Sequence, residues 1–198
     1  MKKKTSIHWK HKEKTLNLRF ANCKFKIGTM KKNNGMRPQD VVILLKIAAK
    51  GDKDWLMKDI SAELFISASE VSEALNRNVY AGLIAADKRR IMKMSFLDFL
   101  RYGLKYVFPQ KLGSMTRGIP TAHAAAPLNK IIQSDKPYIL PHPEGEANGL
   151  AVMPLIPSLP KACLQDTTFY ELVALTDALR IGNVREQLLA YEELKNRL

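Results

Sequence analysis

The chain has 198 residues, 46% of them hydrophobic and 26% charged, with a formal net charge of +13. This composition is ordinary for a globular protein. The longest apolar run, residues 41–49, is interrupted by Lys46 and is far shorter than the roughly 20 residues of a membrane span, so no transmembrane helix is expected. No apolar stretch follows the basic start, which argues against a secretory signal. Only two cysteines, Cys23 and Cys163, favour a reducing cytoplasm.

The basic charge is concentrated at the start of the chain. Residues 1–35 hold 11 basic and one acidic residue, a net +10, whereas the remaining residues hold 21 and 18, a net +3. Nucleic acid is the expected partner of such a segment, and a solvated tail is the alternative. Within it, a period of two predicts a basic-faced hairpin carried by Leu16, Leu18, Phe20, Cys23, Phe25 and Ile27.

Three helices are predicted after the linker that ends at Gly35. Pro38 in a first turn and Gly51 beyond a last turn indicate a core helix over residues 39–50. A brief second helix over 59–64 follows. The stretch SASEVSEALNRNVYAGLI, residues 67–84, then begins with Ser67 and Glu70 at the spacing of a capping box, which predicts a helix start near Ala68.

This third helix is predicted to be amphipathic. At 100° per residue, Ala74 and Leu75 lie on an apolar side together with Val71, Asn78 and Val79. The opposite side is polar and consists of Ser69, Ser72, Glu73, Asn76, Arg77 and Tyr80. A short helix, a tight turn, a second helix with an outward polar face and an extended segment follow one another in the order of a helix-turn-helix with a wing.

The stretch KDISAELFISASEVSEALNRNVYAGLI resembles the MarR-like winged helix-turn-helix regulators of bacteria, and the resemblance covers about residues 37–94. Two positions depart from the family pattern. Phe65 stands where the turn usually has glycine, and Asn78 stands where a buried leucine is usual, so the second helix is expected to be rotated or loosely packed at its end. The resemblance is carried by Ala62, Ser67, Val71, Ser72, Gly82, Leu83 and Ile84.

The resemblance implies which residues contact DNA. The second helix of the motif would face the major groove or its phosphates, where serine and asparagine bond base edges and arginine favours guanine. The implied contacts are Ser67, Ser69, Ser72, Asn76 and Arg77. A wing hairpin would place Lys88, Arg89 and Arg90 at its tip, near phosphates or the minor groove. The alternative for this basic segment is a continuing helix with a solvated face.

The remaining chain predicts helices on either side of a proline-rich segment. A helix capped by Ser95 ends at Pro109, and nine of the ten prolines lie in residues 109–161, which indicates an extended arm, a binding loop or a draped segment. Two capped helices form a C-terminal hairpin, with Phe169, Leu172, Val173, Thr176 and Leu179 inward in the first and Val184, Leu188, Tyr191 and Leu194 or Leu198 inward in the second. We expect this hairpin either to form the interface between two chains or to complete the core of a single chain.

The predicted fold class is therefore mainly α with a small β wing (α+β). Its segments are a basic extension (1–35), a winged helix-turn-helix domain (36–108), a proline-rich extended segment (109–165) and a helical hairpin (166–198). No sequence motif for catalysis, a cofactor or a metal is present, and Arg117, His123, His142, Glu144 and Glu146 are interpreted as loop hydrogen-bonding groups. The predicted function is a cytoplasmic, homodimeric, sequence-specific DNA-binding transcriptional regulator. The alternative is a protein-interaction module, such as an antitoxin or adaptor subunit, that binds a protein partner through residues 109–165.

Overall fold

A computed structural model describes residues 35–198, and the hairpin predicted over residues 16–27 lies outside this range. The described part is mainly helical and of the predicted α+β class, but its small sheet lies in the proline-rich segment, where no strands were predicted. A π-helical turn at Phe99–Gly103 lies between the fourth and fifth helices. The helices are α1 (Pro38–Lys50), α2 (Met57–Leu64), α3 (Ala68–Tyr80), α4 (Lys93–Asp98), α5 (Leu104–Val107), α6 (Leu159–Gln165), α7 (Thr167–Ile181) and α8 (Val184–Arg197), and the strands are β1 (Met115–Thr121), β2 (Tyr138–Pro141) and β3 (Ala147–Ala151).

Helix α1 is a core helix, as its apolar composition predicts. Every residue from Asp40 to Ile47 is buried, including Lys46, whose ammonium lies 2.6 Å from an Asp166 oxygen and 2.9 Å from a Glu63 oxygen. The long stem of Lys46 contributes to the apolar packing while its charge is neutralised by two carboxylates. Helix α1 thus joins α2 and α3 to the start of α7.

The fourth helix begins earlier than predicted. It starts at Lys93, after Met92, and the Ser95 side chain forms no cap. Phe96, Leu100 and Leu104 are almost fully buried, at intervals of four residues. In a regular α-helix this interval drifts by about 40° per step, and the wider π turn reduces the drift, so the three side chains share one buried face.

The proline-rich segment folds into the small sheet. Strand β1 pairs antiparallel with β3 through its first half and with β2 through its second half, and β2 also pairs with β3 in parallel. Gly118 lies where the two halves meet, and a Cβ there would collide with the carbonyl of Leu140. The segment predicted as extended therefore contains three short strands, and their four to seven residues are too few for a clear period of two.

Helix α7 is the central helix of the described chain. Asp166 caps it by accepting a hydrogen bond from the Phe169 amide, and all residues from Leu172 to Arg180 are buried. Its neighbours include α1, α5, α6, α8 and β1, so the predicted C-terminal hairpin contributes to a continuous hydrophobic core with α1 and α3. The alternative expectation, that the hairpin completes the core of a single chain, therefore holds for α7.

Helix α8 is rotated relative to the prediction. The capping box of Asn183 and Glu186 is present, but Val184 and Leu188, predicted inward, are 83% and 53% exposed. Leu194 is buried, as predicted, and Glu186 and Ala190 are the other buried residues of the helix. The Glu186 carboxylate accepts from the Asn183 amide and side chain and also lies 3.5 Å from His123 Nδ1, so this position faces the fold. Among the described residues, no helix is both long enough and apolar enough to span a bilayer.

Candidate nucleic-acid interface

The second and third helices form the predicted helix-turn-helix order around a tight turn. Phe65 ends α2 in the left-handed region at φ 55°, a conformation that glycine adopts more easily. The Ser61 hydroxyl donates to the Ile66 carbonyl at 2.6 Å, and the Ser67 hydroxyl accepts from the Glu70 amide at 3.1 Å. The reciprocal hydrogen bonds from Ser67 lower the pKa of Glu70. These contacts fix the direction in which α3 leaves the turn.

The outward face of α3 is polar and open to solvent. Ser69 and Asn76 are exposed, Ser72 is partly buried, and Tyr80 is 79% exposed. Ser67 is also exposed, although its hydroxyl takes part in the cap. Of the predicted groove-facing residues, Ser69 and Asn76 are thus exposed without taking part in the cap.

The prediction that Arg77 faces outward is wrong. Its side chain is 9% exposed, and its Nε and Nη2 donate to both carboxylate oxygens of Asp40 on α1 at 2.6–3.1 Å. These hydrogen bonds raise the pKa of Arg77. Asp40 is completely buried, and a buried carboxylate requires a bidentate partner of this kind. Arg77 therefore holds α3 to α1.

Asn78 strengthens the same junction. It is completely buried, and its Nδ2 donates to the Asp40 backbone carbonyl at 3.1 Å. The expected loose or rotated end of α3 is therefore not observed, since the buried Asn78 amide joins α3 to the backbone of α1, although its Oδ1 has no hydrogen-bond partner among the described residues. Sequence reasoning missed Asp40 altogether, since its first-turn position indicated only a helix start.

The basic segment after α3 is a hairpin, as the wing prediction requires, and not a continuing helix. Ile84 and Ile91 form an antiparallel bridge, and the Ala85 amide donates to the Arg90 carbonyl at 2.8 Å. Asp87 shapes the tip by accepting from the Arg89 amide at 2.8 Å, which lowers the pKa of Asp87. Lys88 follows at φ 59° and completes the turn.

The three wing cations have different environments. Arg90 is exposed and Lys88 is partly buried, so both lie at the surface of the hairpin. Arg89 turns back toward the fold: its Nη1 donates to the Trp55 carbonyl, and its guanidinium lies 4.8 Å from the centroid of the Trp55 ring. Arg89 thus stabilises the wing against the loop between α1 and α2. Arg90 and Lys88 are the wing residues available to a phosphate.

The ionisable residues of the proline-rich segment are dispersed in the structure. Arg117 donates to the Gly145 carbonyl, and the Glu144 amide donates to His142 Nδ1 at 3.3 Å, both loop hydrogen bonds of the predicted kind. His123 is not the predicted loop hydrogen-bonding group: it is buried with Nδ1 3.5 Å from a Glu186 oxygen, and neither ring nitrogen has a hydrogen-bond partner among the described residues. Residues 35–198 contain no group of three or more His, Cys, Asp or Glu side chains with the geometry of a metal site.

Comparison with known proteins gives no relative. No family model matches the chain, and neither a curated protein nor a solved structure matches it significantly.

Proposed function

We propose that the protein is a sequence-specific DNA-binding regulator in which α3 enters the major groove and the wing contacts the adjacent backbone. One observation carries this proposal: α3 is fixed from behind by Arg77 and Asn78, while Ser69 and Asn76 remain exposed on its outer face. A rigid helix with free hydrogen-bonding side chains is what base recognition needs.

In this proposal α3 and the wing have different roles because their charges differ. Glu73 lies on the outer face of α3 and is 61% exposed, so this face repels phosphates but can accept a hydrogen bond from cytosine. Lys88 and Arg90 on the wing supply the positive charge that binds the backbone. The basic extension at residues 1–35 adds a nonspecific attraction. In this proposal Asn76 and Ser69 determine sequence preference, and Arg90 contributes affinity for any duplex.

The test compares variants on a duplex selected from a random library and on a scrambled duplex, at fixed salt. Asn76→Ala should weaken binding to the selected duplex by about 1–3 kcal/mol and leave the scrambled duplex unaffected. Arg90→Ala should weaken both and reduce the salt slope by about one. Asn129→Ala, an exposed asparagine elsewhere, is the matched control. Unchanged binding by Asn76→Ala would contradict the proposal.

We propose that the homodimer forms through α8, since α7 is buried inside the protomer. Val184 and Leu188 are one turn apart and exposed, and a second copy would cover them. Val184→Asp with Leu188→Asp should turn a dimer into a monomer in light scattering, with no loss of melting temperature beyond that of dissociation. A full-length protein that is monomeric at micromolar concentration would remove this part of the proposal.

The protein-interaction alternative is favoured by a different surface. Met115 on β1 is 63% exposed, and Met153, three residues after its strand partner Leu150, is 66% exposed. Flexible exposed methionines suit a protein partner. Recovery of a partner that is lost on Met115→Ser with Met153→Ser, combined with wild-type DNA binding by Asn76→Ala, would favour the adaptor function over the regulator.

A further inference from the structure

A cleft of about 670 Å³ lies beside the wing, between the end of α1, the loop that follows it, the start of α4 and the end of α8. Its size is within the range of about 300–1,000 Å³ that is typical of small-molecule sites. The polar side chains that line it include Lys53, Trp55, Arg89, Arg90, Lys93 and Arg197. Three separate parts of the chain thus supply cations to one concave surface.

The cations of the cleft are only partly neutralised. Arg197 pairs with Glu193 at 3.0 Å and Glu171 at 3.7 Å. Within the described chain, Lys53, Arg90 and Lys93 have no carboxylate within ion-pair distance. The acidic residues of the lining, Asp52 and Asp54, both lie on the loop after α1. The wing side of the cleft is therefore positively charged and suits an anion.

One wall of the cleft contains a cation and an aromatic ring. The Arg89 guanidinium carbon lies over the Trp55 ring, 4.8 Å from its centroid, and Arg89 is exposed and lines the cleft. Guanidinium planes stack on aromatic rings as well as binding phosphate. The cleft therefore combines cations for phosphate groups with a planar surface for a ring.

We propose that this cleft binds a phosphorylated small molecule of nucleotide size, with its phosphates against Lys53, Arg90 and Lys93 and its ring on the Arg89–Trp55 stack. Because Arg90 belongs to the wing, bound ligand occupies a cation that a DNA backbone would use. The ligand site does not depend on the proposed DNA binding. The competition between ligand and duplex does depend on it and therefore rests on the proposed function.

The experiment measures calorimetric binding of ADP, inorganic pyrophosphate and adenosine to the full chain at low salt. ADP should bind saturably at one site, pyrophosphate more weakly and adenosine most weakly. Lys53→Ala with Lys93→Ala should weaken ADP binding at least about tenfold, the loss expected for one charge-assisted contact. Lys130→Ala with Lys136→Ala is the matched control, because these exposed lysines lie outside the cleft, and it should bind ADP as the parent does.

Three outcomes would overturn the ligand site. The first is no saturable binding of ADP or pyrophosphate at millimolar concentration. The second is an equal loss in both double variants, which would show diffuse attraction to a basic protein. The third is weaker duplex binding by Lys53→Ala with Lys93→Ala together with unchanged ADP binding, which would assign the cleft to the DNA backbone. ADP binding in a protein that binds no duplex would remove only the proposed regulator function.

Discussion

Helices α3 and α7 are of similar length, 13 and 15 residues, and both pack on α1, yet they present opposite surfaces. Helix α3 leaves Ser69, Asn76 and Tyr80 outside, whereas α7 is buried on all sides from Leu172 to Arg180. A helix that is enclosed in this way positions its neighbours, and a helix with an open polar face is available to a partner. The comparison therefore makes α3, and not α7, the helix whose polar face is open to a partner.

The two helices are also held differently. The end of α3 is anchored by a buried ion pair and an amide, with Arg77 and Asn78 both bonded to Asp40. Helix α7 is anchored mainly by apolar side chains along its length, with polar contacts where Asp166 meets Lys46 and where the buried Asp177 accepts from the Thr121 hydroxyl. Truncation of Arg77 on α3 should thus leave an uncompensated charge, whereas truncation of an apolar side chain on α7 should leave a cavity.

The largest effect is expected at the α3 anchor. Arg77→Ala leaves the Asp40 carboxylate buried without its partner, which should cost about 3–5 kcal/mol of unfolding free energy. Asn76→Ala, one residue away and exposed, should change stability by less than about 0.5 kcal/mol. Urea denaturation of both variants checks the difference. Equal stability of the two would show that Arg77 is not an anchor.

This contrast explains which parts of the interface could be predicted. The start of α3 and its apolar side are local properties, and the Ser67–Glu70 box and the burial of Val71, Ala74 and Leu75 are as expected. Arg77 was misplaced because its angular position on the helix says nothing about a partner 37 residues away on α1. Long side chains at the boundary of two faces follow the tertiary contact, not the period.

In the rest of the fold, too, features set by neighbouring residues were predicted, and features set by tertiary contacts were not. The caps of α7 and α8 were predicted from two or three neighbouring residues each, at Asp166 and at Asn183 with Glu186. The sheet was not predicted, because its pairing joins residues such as Gly118 and Pro141 across loops and its prolines conceal the strand pattern. The burial of Glu186 on α8 also involves a tertiary neighbour that no local pattern contains, since its carboxylate lies 3.5 Å from His123 Nδ1.

A cavity in α7 should have the next largest effect. Leu175 is completely buried, so Leu175→Ala should lower the free energy of unfolding by about 2–5 kcal/mol. Leu188→Ala on α8 removes the same atoms from a side chain that is 53% exposed and should cost less than about 0.5 kcal/mol in the monomer. Thermal melting of both variants sharpens the comparison between an enclosed and an open helix. A large loss from Leu188→Ala would place α8 in a stable interface.

A smaller effect, dependent on pH, is expected where α7 begins. Desolvation raises the pKa of Asp166, but the hydrogen bonds from Lys46 and the Phe169 amide outweigh it, so the net pKa lies below the ordinary value of 3.8. A lowered carboxyl pKa stabilises the fold above the unfolded-state value, and the contribution is lost as pH falls through the folded-state pKa. Asp166→Asn keeps a capping oxygen and should cost about 1 kcal/mol at pH 7, discounted because the side chain is partly exposed.

The same variant gives the pH test. The stability gap between the parent and Asp166→Asn should narrow as the pH is lowered below 3.8, and urea unfolding from pH 7 to pH 3 measures it. Asp135→Asn, an exposed aspartate elsewhere, serves as the control and should show no comparable gap. A gap that is constant across this range would mean that the Asp166 charge does not contribute, and that only the cap holds the start of α7.

The smallest effect on stability is expected at the turn between α2 and α3, which sets the direction of α3. Phe65 adopts the left-handed conformation, which costs a residue with a Cβ about 1–2 kcal/mol, and it recovers part of this through Lys161, whose ammonium lies 4.0 Å from the ring centroid. Phe65→Gly removes the strain, loses the contact and adds flexibility to the unfolded chain, so its stability should stay within about 0.5 kcal/mol of the parent. Phe65→Ala loses the contact and keeps the strain, and should be less stable than Phe65→Gly by about 0.5–1 kcal/mol. If Phe65→Ala were instead more stable than Phe65→Gly, the backbone of the turn would not be strained. The contribution of Phe65 would then come from its contact with Lys161 alone.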